Sequence, residues 1–567
     1  MSEAQQNGDE AMTVIGISFG NANSSLSFTG SDGNVDLIPN QDGDRSIPSA
    51  LAYVGEDEYH GLQAKAQLIR NSTNTVVNFR DFIGKSFSDI DPTYSHRSAR
   101  PVEQEGVVGY KIVTSSEEGA EPEFVSVSEI AKRHLLRLKG SAEDFLGKAL
   151  TGAVITVPTD FTPKQREELN AIATSAGIHV LQIVPEPVSA LLAYDAATHG
   201  AFPKDRIVVV VDFGYTRSDG AVIAVRGGMY TVLATAHNYE LGGASLDDSL
   251  ADHFAKEFEK KNGIDPRKES ARSIAKLLAE CEITRKTLSA SNSATISIES
   301  LAGGFDFHSN INRLRFEMLA RKQFDNAVSF VEVLVKKAGL DVLDVDEVVL
   351  AGGSSHTPKI LDRLQAVFPE STHIAAPSSS AKALNPAELI ARGAAVQASL
   401  IAGFEQSDID ESLQPVVTNA PHLAKAVGVV VADSKFFPLL ESYTAVPVRR
   451  SAIFDVPAEG GDVLVGIYEA EREILTHKVE RIAKDTTEED DLDDDDEPFS
   501  DEEDEETREK VLKPTTKIAE AVIKGTKTGG KVEVVLNITA DLKVSIAVRE
   551  IGGAAVRGDV PAAEVQK

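Results

Sequence analysis

One cysteine, Cys281, is all that the 567 residues contain. No disulfide can close within the chain, and such usage fits a reducing compartment. One thiol cannot build a Cys-rich zinc site, and Cys281 falls in a helical pattern where it reads as a buried core residue. None of the twelve histidines stands in H-E-x-x-H, and no G-x-S-x-G elbow occurs. No apolar run approaches the length that spans a bilayer. The opening MSEAQQNGDE lacks the basic and apolar stretches of a secretory signal or transit peptide. Positive charge is scarce: 57 Lys and Arg against 88 Asp and Glu give −31, which argues against broad binding of a nucleic-acid backbone.

Much of that charge is local. Between Glu488 and Glu506, 15 of 19 residues are acidic, which leaves −16 over the rest. A run of this kind reads first as a solvated, disordered loop, with capture of a basic surface as the alternative. The remaining composition, 42% hydrophobic and 26% charged, is that of an ordinary globular protein. At this length it should form two to four domains.

Short apolar runs alternate with helical patterns from about Thr13 to Gly403. TVIGI, GAVITV, RIVVVVDFG and DEVVLAGG each end in a turn signal. TPKQREELNAIATSAG reads as a helix with Thr162 as N-cap, Pro163 in the first turn, Gln165 completing a capping box and Gly177 closing it. The pattern is mixed α/β. Two stretches echo one another: IGISFG, Ile15 to Gly20, and VVVDFG, Val209 to Gly214, are strands running into a Phe-Gly turn. They suggest a duplicated fold with a nucleotide between its halves. IGKS, Ile83 to Ser86, imitates the end of a Walker-A loop, but Phe79 stands where the leading Gly is required.

Expected boundaries are a polar tail over 1–12, a nucleotide-binding domain over 13–403, a polar linker over 404–416 and a β domain over 417–567. In the last part Val532, Val534, Leu536 and Ile538 alternate, as do Leu542, Val544, Ile546 and Val548 after a turn at Thr539–Asp541. That is a hairpin signature. The acidic run, near 485–510, is an insertion in this domain.

Five glycine-bearing turns carry the functional signal: SFGNANSS, VDFGYTRSD, ELGGASLDD, LAGGSSHTP and RGAAVQA. Each alone marks only a turn. In this order and spacing, with AVITVPTDFTPKQRE and VPEPVSALLAY, they resemble heat-shock protein 70 (DnaK-type) chaperones. The resemblance implies a duplicated actin-like (ribonuclease H-like) ATPase domain followed by an all-β substrate-binding-type domain. Matched by motif, the phosphate hairpins fall on Gly20, Asn21, Ala22 and Asn23 and on Gly214 and Tyr215, with Gly242 and Gly243 beneath them. Glu282, Arg285, Lys286 and Ser289 would surround the adenosine, as would Gly352, Gly353, Ser354 and His356. His356 replaces an Arg that stacks on the base in the family, and Ala387 replaces an acid after Asn-Pro.

The departures gather where phosphoryl transfer would occur. The family's first-hairpin Asp is Ser18, its two Thr residues are Asn21 and Ala22, and its catalytic Lys is Arg80. The second hairpin's Thr is Arg217, and Tyr215 replaces a Gly. Glu186 and Asp212 match the family's other two acidic positions. ATP binding without significant hydrolysis is therefore expected, with Mg²⁺ left open and no metal ligand assigned.

The linker lacks the family's leucines, holding only Leu413, and the chain stops at Lys567, where a helical lid would begin. These departures resemble one subgroup, the atypical subunit of the fungal ribosome-associated complex. That resemblance implies a stable heterodimer with a J-domain protein of the Zuotin type in the cytosol. It also implies association with ribosomes, a ribosome-bound partner chaperone and nascent polypeptide. The competing expectations are an autonomous ATP-hydrolysing chaperone and a nucleotide-exchange co-chaperone.

Overall fold

The computed structural model describes residues 12–90, 97–115, 119–199, 203–377, 384–412, 421–431, 435–456, 459–478 and 506–560. The N-terminal tail before Met12, Leu413 with the rest of the expected linker, and most of the acidic run lie outside them. The chain divides into two compact units, Met1–Val417 and Thr418–Lys567.

The first unit is built on two sheets of the same plan. In one, Val14–Phe19 lies parallel to Gly152–Val157, which lies parallel to Val180–Pro185. On its other side Val14–Phe19 turns back antiparallel into Asn23–Thr29 and then Val35–Ile38. In the other, Arg206–Phe213 lies parallel to Glu347–Ala351 and through it to His373–Ala375. Its antiparallel neighbours are Ser218–Arg226 and Met229–Asn238. The echo in the sequence is thus a repeat of sheet topology, and it gives the unit two lobes.

Parallel strands covered by helices need apolar side chains on both faces. Gly152–Val157 is buried at all six positions, and Ile207 to Val211 are buried too. The expected helix forms at Pro163–Ser175 with its capping box: the Gln165 amide donates to the Thr162 hydroxyl at 3.3 Å, and the Thr162 amide donates back to the Gln165 side-chain oxygen at 3.2 Å. Cys281 is fully buried, and burial holds its thiol above the ordinary range.

Part of the segment expected as a linker is a helix, Gln406–Ser412. Its one large apolar side chain, Ile409, is buried with Leu181, Val184 and Ile401. A single hydrophobic anchor is too weak a periodic signal to announce a helix from sequence.

In the second unit every described element is a strand. One sheet runs Phe436–Leu440, Ala426–Val430, Gly461–Lys478, Glu506–Thr526; the other runs Val448–Asp455, Lys531–Ile538, Val544–Glu550, Val556–Val560. Val532, Val534, Leu536, Ile538, Val544, Ile546 and Val548 form the core between them, as the alternation predicts. Leu542 does not continue that alternation: it sits in the turn at φ 61°, half-buried. Gly461–Lys478 and Glu506–Thr526 pair along their length, ending with Lys478 opposite Glu506. The acidic run therefore connects the two strands of one long hairpin. Among the described residues no helix is long and apolar enough to cross a membrane.

Candidate nucleotide cleft

Two hairpin turns face each other across the lobes. In the first, Phe19 pairs with Ser24 and the chain turns through Gly20, Asn21 and Ala22. In the second, Phe213 pairs with Ser218 around Gly214 to Arg217. Only glycine fits where each turn begins. A Cβ on Gly20 would lie 2.1 Å from the Asn23 carbonyl oxygen, and one on Gly214 would lie 2.7 Å from that of Arg217. Side chains join the turns directly, with the Asn21 amide donating to the Thr216 hydroxyl at 3.1 Å.

Behind the turns lies a knot of buried charge. Arg80 donates to Glu186 at 2.6 Å, to the Phe19 carbonyl at 3.0 Å and to Asp81 at 2.9 Å. Arg217 donates to Asp219 at 2.6 Å, to Asp160 at 2.7 Å and to the Tyr239 hydroxyl at 3.0 Å, and its guanidinium lies 3.6 Å from Asp81. Asp212 sits in register opposite Asp219 and lines the same cleft.

Five carboxyl groups thus share two guanidinium groups, and burial penalises the surplus charge. Burial pushes Glu186 up to about 7 despite Arg80. It also raises Asp212 well above its ordinary range, helped by the charges of Glu186 and Asp219. Asp160 is held near 2, because Arg217 outweighs the burial penalty.

The sign of the resulting pH dependence is fixed. Between about pH 4.5 and 7 the folded chain keeps the Glu186 proton that an unfolded chain releases, so stability falls as pH rises through that window. Glu186→Gln keeps an acceptor for Arg80 and removes the titration. It should match the parent protein near pH 4.5 and exceed its stability at pH 8 by on the order of 1–3 kcal/mol. Thermal melts at the two pH values check this.

The side where adenosine is expected is assembled by the Ala271–Ala290 helix. Glu282 bridges Lys65 at 2.7 Å and Lys286 at 2.8 Å. Burial would raise its carboxyl, but the two ammonium groups hold it near 2. Arg285 is anchored on Asp247 at 2.6 Å, and burial still pushes Asp247 up to about 6. The Tyr215 ring lies between this helix and the phosphate turns, 5.9 Å below the Lys65 ammonium and against Gly243.

The residues lining the cleft include Ser18, Gly20, Asn21, Ala22, Asn23, Arg80, Glu186, Asp212, Gly214, Tyr215, Thr216, Arg217, Asp219, Glu282, Arg285, Lys286, Gly352, Gly353 and Ser354. Four expected contacts do not line it. Gly242 and Gly243 lie under the second turn, with the Gly243 amide donating to the Gly214 carbonyl at 3.0 Å. Ser289 turns its hydroxyl back to the Arg285 carbonyl at 3.2 Å. His356 meets Asn385 at 3.0 Å on the surface.

Sequence reasoning missed Asp81, Asp160, Asp219, Lys65 and Asp247. Asp219 alone had a local signal, since a hairpin through Gly214 places it directly across from Asp212.

The cavity measures about 160 Å³, below the roughly 300–1,000 Å³ usual for small-molecule sites. A larger cavity of about 530 Å³ between the Glu186–Thr198 and Leu389–Ile401 helices contains none of the phosphate-turn residues. The lining fits a nucleotide: two glycine turns offer backbone amides, with Arg80, Arg217, Arg285 and Lys286 as cations. It fits a protein-held metal poorly. Among the described residues no group of three or more His, Cys, Asp or Glu side chains is arranged for one, and Glu186, Asp81, Asp160 and Asp219 already face arginines.

Paired glycine turns on a duplicated fold, with a charged helix opposite, have the plan of a nucleotide-binding domain. The chain belongs to the Hsp70 family, whose model, Hsp70 protein, matches residues 14–488. It is 47% identical over 548 residues to the Ribosome-associated complex subunit SSZ1 of Saccharomyces cerevisiae, spanning 96% of this chain and 99% of that protein. It is 43% identical to a heat shock protein 70 homolog of Schizosaccharomyces pombe over 96% of this chain and 95% of the relative. To Heat shock 70 kDa protein 14 of Xenopus tropicalis it is 33% identical, over 77% of this chain and 84% of that one.

Proposed function

We propose that this chain is an atypical chaperone subunit that holds ATP without significant hydrolysis. In this reading it acts at the ribosome, through a J-domain partner of the Zuotin type, as co-chaperone for a ribosome-bound chaperone that folds nascent chains.

The observation that carries the first part is the pairing of Arg80 with Glu186 and of Arg217 with Asp219. Phosphoryl transfer needs metal, water and charge in defined places. Here two fixed guanidinium groups occupy the acids, and each missing preorganised group costs on the order of 10²–10³ in rate. Retention stands on the backbone turns and the adenosine helix.

The second part rests on the 47% identical relative, a subunit of a ribosome-associated complex. On this reading the chain works in the cytosol. We read the strands of Thr418–Lys567 as the β portion of the family's peptide-binding module. Strand edges invite pairing with another chain, and a segment of the J-domain partner is the occupant we favour.

Affinity purification of the full chain from cells that express it, followed by sedimentation with ribosomes, tests the assembly. A stoichiometric J-domain protein in the ribosomal fraction is expected. Recovery of the chain alone, away from ribosomes, would remove the proposal.

A further inference from the structure

Arg217 belongs to the second lobe, on the turn that follows the Arg206–Phe213 strand. Two of its carboxylate partners belong to the first lobe: Asp160, just after the Gly152–Val157 strand, at 2.7 Å, and Asp81 at 3.6 Å. Tyr239 completes the grip. Its hydroxyl donates to Asp160 at 2.6 Å, and its ring lies 4.4 Å beneath the Arg217 guanidinium. Thr159 adds a second bond between lobes, its hydroxyl donating to Asp219 at 3.0 Å. Arg217 is 4% exposed while the Asp160 side chain is 20% exposed, so the bond between them is part-buried.

The cleft draws its lining from both lobes, so bonds that tie the lobes together resist its opening. When the lobes part, Arg217 must leave Asp160 and Asp81 while still buried against Asp219. Charge-assisted bonds of this kind are stronger than neutral ones, so breaking them to part the lobes costs free energy.

We propose that Arg217 is a latch between the lobes whose engagement with Asp160 sets the rate at which a bound nucleotide leaves. The inference rests on the nucleotide-holding reading above and adds the residue pair that controls holding. Asp160 does not line the cleft, so it separates latch from ligand contact. Asp160→Asn keeps shape and removes charge, and Arg217→Lys keeps charge but loses the fork.

The experiment is displacement of a fluorescent ATP analogue from the full chain by excess ATP, followed by stopped flow, with melting curves as a folding check. Truncating a buried charge pair acts mainly on dissociation. Asp160→Asn and Arg217→Ala should each speed release by at least about tenfold, and the double variant should do no more than Arg217→Ala alone, since Arg217 also lines the cleft. Arg217→Lys should fall between. Release unchanged in Asp160→Asn with melting intact would overturn the latch, as would single effects that multiply in the double variant. If the parent chain retains no analogue, the nucleotide-holding reading itself fails. Retention by the parent with no acceleration in either variant sinks the latch alone.

Discussion

Arg80→Ala is expected to be the most damaging single substitution in the cleft, lowering the stability of the first unit by about 3–5 kcal/mol at pH 8. Arg80 is 2% exposed and holds Glu186, Asp81 and the Phe19 carbonyl at once. Its removal strands Glu186 and leaves Asp81 only the more distant Arg217, where burial already resists charge. The loss should shrink toward pH 5, because Glu186, raised to about 7, then carries a proton and no longer needs a cation. Arg80→Lys should fall between, since an ammonium keeps the charge but cannot serve three acceptors in the same fork. The chain has no tryptophan, so urea unfolding is followed by circular dichroism at both pH values. Equal losses at pH 5 and pH 8 would show that Glu186 is not the group the guanidinium serves.

Gly20→Val should abolish nucleotide retention while leaving the β unit folded. A Cβ at this position would meet the Asn23 carbonyl oxygen at 2.1 Å, which forces the first turn open. The amides of Asn21 and Ala22 then lose the arrangement the hairpin fixes, and Asn21 loses its bond to Thr216. Oriented backbone donors act on anions only when preorganised. Affinity should therefore drop by about 10²-fold or more, a loss near 3 kcal/mol. Equilibrium titration with a labelled nucleotide reads it directly. Gly33→Val is the control: it lies in a turn with open space around its Cβ position. It should leave nucleotide affinity intact, whatever it does to local stability at φ 79°.

The fold was legible where information is local. Glycine turns after apolar strands are written in a few consecutive residues, and so is the capping box at Thr162 to Gln165. The repeated plan of the two sheets followed from two such turns alone. The hairpin of the β unit was equally plain, except at Leu542, whose apolar side chain looked like a strand position but belongs to the turn.

The cleft was legible only as far as its motifs reach. Arg80 and Arg217 read as substitutions that remove chemistry. What they contribute in return depends on Asp81, Asp160 and Asp219, and residues 57 positions apart in sequence, such as Arg217 and Asp160, meet only after folding. Ser289 and His356 were placed by motif, but helix geometry turns one hydroxyl inward and Asn385 engages the other side chain. The helix at Gln406–Ser412 escaped notice because Ile409 is its lone buried apolar residue among polar ones.

The central claim is that this cleft keeps ATP and does not spend it. A single-turnover assay with γ-labelled ATP on the purified full chain records retained nucleotide and released phosphate together. ATP bound and uncleaved over many minutes is the expected result. Phosphate released at a rate typical of chaperone ATPases, and abolished by Asp212→Asn, would contradict the claim and make the chain an autonomous ATPase.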